Sequence, residues 1–151
     1  MKSFLVALVL GALAGCASPA LAQQTPASAA AAKTGDVAME ELNLVWAKPG
    51  LDLNATIYRP KSSKPLPVLI DVHGGAWSSG DRTGDRLYCT ELAKSGLLVV
   101  SIDFRQAPAY QHPLGSADVA AAVRYVRLNA KSLNADPGRI GLIGSSSGGH
   151  L

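Results

Sequence analysis

Gly144-Ser145-Ser146-Ser147-Gly148, entered from the apolar run Arg139-Ile140-Gly141-Leu142-Ile143, decides how the rest of the chain is read. The run reads as a buried strand, and the five residues after it fit G-x-S-x-G, with Ser146 at the centre of a tight turn from strand into helix. A serine hydroxyl is a poor nucleophile unless it is held where a base can take its proton, and such a turn pushes it out of the backbone. Larger residues would collide across the turn, so Gly144 and Gly148 meet a steric need, and Gly149 lets the next helix pack close to the strand. Ser146 is the candidate nucleophile.

Upstream, Pro67-Val68-Leu69-Ile70-Asp71-Val72 runs straight into His73-Gly74-Gly75-Ala76-Trp77. Attack on an acyl carbon places negative charge on the carbonyl oxygen, and fixed N–H donors must point at it. Glycines suit this, because without a Cβ their backbone can approach a substrate and turn its amides inward. The amides of Gly74, Gly75 and Ser147 are the candidate oxyanion hole, Ala76 is an alternative for one loop donor, and His73 is a supporting residue that orders the loop through backbone hydrogen bonds.

Four stretches together carry a family resemblance: residues 71–77; Val99-Val100-Ser101-Ile102-Asp103-Phe104-Arg105-Gln106-Ala107-Pro108; Asp136-Pro137-Gly138-Arg139-Ile140; and residues 144–151. From about residue 37 onward the chain resembles the N-terminal part of an α/β-hydrolase. The branch is that of serine esterases and lipases similar to hormone-sensitive lipase and to acetyl, xylan and feruloyl esterases. The resemblance implies a mostly parallel sheet wrapped by helices. It also implies a carboxylic ester hydrolase that works through an acyl-enzyme on Ser146, with short-chain acyl esters, free or polysaccharide-linked, as substrates. Gln106 departs from the family, which commonly has Leu there.

In this fold the triad partners follow in the order Ser, then Asp or Glu, then His. Only Ser147 to Leu151 follow Ser146, so the triad acid and base are absent from this chain, which reads as truncated after the elbow and inactive by itself. His150, one helical turn past the serine, is expected to pack or cap; His112, in a proline loop, to lie at the surface. The order His73, Asp103, Ser146 matches the chymotrypsin roles, but those need a double β-barrel, which alternating strands and helices exclude. No cluster of His, Cys and carboxylates has metal-ligand spacing, and no cofactor is implied. The competing class is a non-catalytic exported fragment or binding scaffold on the same fold.

Met1 to Ala22 reads as a secretory signal: a basic start, a short apolar core and small residues. Two processing sites compete. Leu13-Ala14-Gly15-Cys16 resembles a lipobox, which would make Cys16 the lipidated first residue, whereas Ala20-Leu21-Ala22 fits ordinary cleavage before Gln23. Either implies export to the periplasm or beyond, with membrane attachment only through Cys16. Residues 23–36 read as a flexible linker and 37–151 as the hydrolase part. Of the two cysteines, Cys16 and Cys89, either processing route removes the first as a disulfide partner, and Cys89 is expected to be buried on a helix. A formal charge of +3, from 14 basic and 11 acidic residues, is too mild and too evenly spread for a nucleic-acid partner. Oligomeric state leaves no mark on the sequence.

The remaining pattern predicts an edge hairpin over 38–46 and 51–58, turning at Lys48-Pro49-Gly50. A buried strand at 68–72 follows, then a helix of about three turns ending near Gly96, a strand at 97–103, a helix over 116–130, and a turn at 134–138 into the elbow strand.

Overall fold

The computed structural model describes residues 39–48 and 51–151. The expected export leader with Cys16, the expected linker, and Pro49 and Gly50 of the predicted turn lie outside them. Five strands form one sheet in the order β1-β2-β4-β3-β5: β1 Met39–Ala47, β2 Leu53–Pro60, β3 Leu66–Val72, β4 Leu98–Ile102 and β5 Ala135–Gly144. The predicted hairpin is present, with β1 antiparallel to β2 and β2 antiparallel to β4, while β3 is parallel to both β4 and β5. This is the α/β arrangement expected from alternating apolar runs and helical patterns.

Two crossover helices connect the parallel strands, α1 Arg86–Lys94 from β3 to β4 and α2 Leu114–Leu128 from β4 to β5. The first step moves one way from β3 and the second returns across it, so the usual right-handed crossovers put the helices on opposite faces. Side-chain alternation on the strands agrees. Tyr58 and Val99 pack with Cys89 and Ala93 of α1, whereas Ile57, Leu98, Val100 and Ile102 pack with Val119, Ala122 and Val126 of α2. All five residues of β4 are buried, as covering on both faces requires.

Several predicted boundaries shift. The first helix has nine residues and starts only at Arg86, after turns at 76–78 and 82–85; Gly96 follows its end at φ +98°, its N–H bonded to Ala93 O. The second helix begins two residues earlier than predicted and breaks at Asn129, after which α3, Ala130–Leu133, ends on Asn134 at φ 55°. The elbow strand starts at Ala135, inside the predicted turn. Ala135 pairs with Leu66, an irregularity follows, and Asp136 Oδ1 accepts from Gly138 N at 2.9 Å, so the turn is absorbed as a kink in the strand. Pro137 is tolerated because β5 lies at the edge of the sheet among the described residues.

Burial pushes the Tyr58 hydroxyl and the Cys89 thiol each up to about 12, and negative neighbours (Glu41 for Tyr58, Asp71 for Cys89) add to it. The unfolded chain ionises these groups near 10 and 8.5 respectively. A raised folded value means the contribution to stability is whole below the unfolded value and is lost as pH climbs through the folded one. Denaturant midpoints are therefore expected to fall steadily from about pH 9 upward, and Cys89→Ala to flatten the first part of that fall. An unchanged slope in the variant would contradict the assignment to Cys89.

Candidate active site

Because β3, β4 and β5 are parallel, the segments that leave their carboxyl ends gather on one edge of the sheet. These are His73-Gly74-Gly75, Asp103 to Ala107, and the Ser146 turn. Ligands bind at this edge in open α/β sheets, at the point where strand order reverses. Ser145 N bonds to Val72 O at 3.2 Å, tying the turn to the end of β3. Ser146 sits at φ 47°, ψ −119°, outside the regions an L-residue prefers, and begins α4, Ser147–His150. Such backbone costs about 1–3 kcal/mol and persists only where its surroundings over-determine it. Here the glycines do so: a Cβ on Gly148 would stand 2.0 Å from Val72 O, and one on Gly144 would stand 2.4 Å from the Gly148 carbonyl carbon.

Gly74 comes as close from the other side. Its Cβ would lie 3.2 Å from Ser145 Oγ and 3.3 Å from Ser146 Cβ, so the loop and the elbow are in contact. His73 is buried, stacked on Phe104 at 4.5 Å, with Nδ1 2.6 Å from Gly74 O. A carbonyl only accepts, so Nδ1 carries the proton and the ring pins the Gly74 carbonyl. A trans peptide points its C=O and N–H in opposite directions. Fixing Gly74 O therefore aims Gly75 N–H the other way. The next peptide is held harder still, since Gly75 O accepts from Ser78 N, Ser79 N and Ser79 Oγ at 3.0, 3.0 and 2.9 Å, and this aims Ala76 N–H. Ala76 and Trp77 both take positive φ, 51° and 61°, to complete the loop.

The other candidates separate. Asp103 is engaged by Arg82, whose backbone N and Nη1 reach Oδ1 and Oδ2 at 2.9 Å each, so the order His73, Asp103, Ser146 forms no triad. His150 Nδ1 accepts from Trp77 Nε1 at 3.3 Å with the rings edge to face, a packing role that its position in the sequence anticipated, though the Trp77 partner was not. His112 is exposed and lines, with Trp77, Phe104, Arg105, His150 and Leu151, a cavity of about 360 Å³. Arg105 is held in that lining by a two-pronged pair with buried Asp118, Nε to Oδ2 at 2.9 Å and Nη2 to Oδ1 at 2.6 Å. Ser146 Oγ has no hydrogen-bond partner among the described residues, and no group of three or more His, Cys, Asp or Glu among them is placed to hold a metal.

A serine thrust out of a strand-to-helix turn, against a glycine loop at the carboxyl ends of parallel strands, is the arrangement of an α/β-hydrolase. The chain belongs to the BD-FAE family, whose profile matches residues 55–151. It is 38% identical over 102 residues to the carboxylesterase NlhH of Mycobacterium tuberculosis, covering 66% of this chain and 32% of that protein. It is 35% identical over 97 residues to the versiconal hemiacetal acetate esterase of Dothistroma septosporum, covering 63% and 30%. Among solved structures, the carboxylesterase EstE1, cloned from a metagenomic library, aligns with a TM-score of 0.70 at 32% identity over 76% of this chain and 40% of its own. A thermophilic esterase from Thermogutta terrifontis aligns at 0.66 and 29% identity, over 78% and 43%. The chain thus spans about a third of the length of the curated relatives it matches.

Proposed function

We propose that the full-length protein hydrolyses short-chain carboxylic esters through an acyl-enzyme on Ser146. The observation that carries this is the backbone of Ser146, held at φ 47°, ψ −119° beside a loop whose Gly75 and Ala76 amides are aimed by fixed carbonyls. Ser146 Oγ bonds to the acyl carbon and gives its proton to a base. The carbonyl oxygen takes the negative charge against Ser147, Gly75 and Ala76 N–H, with Gly74 providing the close approach. The C–O bond to the alcohol then breaks, the alkoxide collects the proton, and water releases the acid by the same steps. No described residue touches Ser146 Oγ as a base, so the 151-residue chain by itself is expected to react slowly. The second reading is a non-catalytic scaffold on the same fold.

Similarity to an acetate esterase supports the preference for small acyl groups. The leader supports action outside the cytoplasm, free after Ala22 or anchored through Cys16. The test is a nitrophenyl ester series on the full-length protein: kcat/KM for acetate and butyrate is expected to exceed that for decanoate by about tenfold or more. Preference for decanoate would contradict the short-chain assignment, and hydrolysis of none of the three would favour the scaffold.

A further inference from the structure

The structure gives the Gln106 amide a specific partner: Nε2 donates to Gly80 O at 3.0 Å. Gly80, at φ +85°, backs the glycine loop. A Cβ there would stand 2.6 Å from Gly74 O and 2.9 Å from His73 Nδ1, so its backbone presses on the pair of groups that fixes the Gly74–Gly75 peptide. Two neighbouring ties hold the same two segments together, Ala107 N to Trp77 O at 2.9 Å and the Arg82–Asp103 pair. These flank Gly80 on either side in sequence but leave Gly80 itself to Gln106. The Oε1 of Gln106 and the Nε of Arg82 are both buried without a partner, one an acceptor and the other a donor.

We infer that Gln106 is a positioning residue for ester hydrolysis: by holding Gly80 against Gly74 O and the His73 ring, it keeps Gly75 N–H aimed at the developing oxyanion. The inference rests on the esterase reading for its catalytic consequence and on geometry alone for the brace. A misaimed donor weakens only the charge that develops in the transition state, so the loss falls on kcat and spares substrate binding.

Gln106→Met keeps length and volume while removing both polar atoms; Gln106→Glu keeps an acceptor and cannot donate to Gly80 O. On the full-length protein with nitrophenyl acetate, both are expected to lower kcat about tenfold with KM within about twofold, since losing a whole oxyanion donor costs 10²–10³-fold. Hydrogen exchange in peptides spanning 73–80 is expected to quicken in both variants while peptides of α2 stay as protected as in the wild type. The second variant keeps the test alive should the first fail to fold. Unchanged exchange across 73–80, or faster exchange with wild-type kcat, overturns the positioning role. A wild type that hydrolyses no ester, with exchange still quickened by both variants, sinks the esterase reading and leaves the brace standing.

Discussion

Ser146→Ala is expected to lower turnover of nitrophenyl acetate by the full-length protein about ten-thousand-fold or more. The size of the effect comes from the chemistry: without Oγ no acyl-enzyme forms, and what survives is the attack of water in a site that still polarises the carbonyl. Substrate binding is expected to change little, because the exposed hydroxyl has no partner among the described residues whose loss would disturb the fold. Thermal unfolding of the variant should coincide with that of the wild type or lie slightly above it, since the strained position remains but the larger polar side chain is gone. A variant that retains wild-type turnover would remove Ser146 from the reaction.

Gly148→Ala is expected to be nearly as damaging by a different route. The new methyl would sit 2.0 Å from Val72 O and 2.5 Å from His73 O, both backbone atoms at the end of β3 that cannot turn aside as a flexible side chain can. Relief requires α4 to move off the sheet, which breaks the Ser145 N to Val72 O bond that sets the turn. The expected cost is about 3–5 kcal/mol in denaturant unfolding, with activity reduced at least about 100-fold because the nucleophile is displaced by an ångström or more. Gly141→Ala is the control. Its Cβ would meet Leu69 Cδ1 at 3.4 Å, ordinary contact with a movable methyl, so stability should change by less than about 1 kcal/mol. Equal effects of the two substitutions would show that the elbow's close packing is not what confines these positions.

The parts of this arrangement that were legible in the sequence are those written in local pattern. The three parallel strands announced themselves as unbroken apolar runs, the elbow by glycines at fixed offsets from Ser146, and Cys89 as a small apolar residue on the helix after the glycine loop. The structure then added what spans segments. Nothing local says that His150, four residues past the serine, meets the indole of Trp77 73 residues away in sequence. Ala76 was readable only as an alternative donor, because its aim comes from three hydrogen bonds converging on Gly75 O, made by residues two and three positions further on. Gln106 drew notice only through the family resemblance, and its partner Gly80 lies on a different loop. The early start of the elbow strand was hidden for the opposite reason. Asp136-Pro137-Gly138 is strong turn chemistry, and pairing with Leu66 overrides it.

The central claim, that Ser146 is the nucleophile of a serine esterase, is tested most directly by treating the full-length protein with a fluorophosphonate and mapping the adduct by peptide mass spectrometry. The account predicts one phosphonyl group, on Ser146, with loss of ester hydrolysis in step with labelling and no adduct in Ser146→Ala. An adduct on another residue, or undiminished hydrolysis after Ser146 is fully labelled, would contradict it.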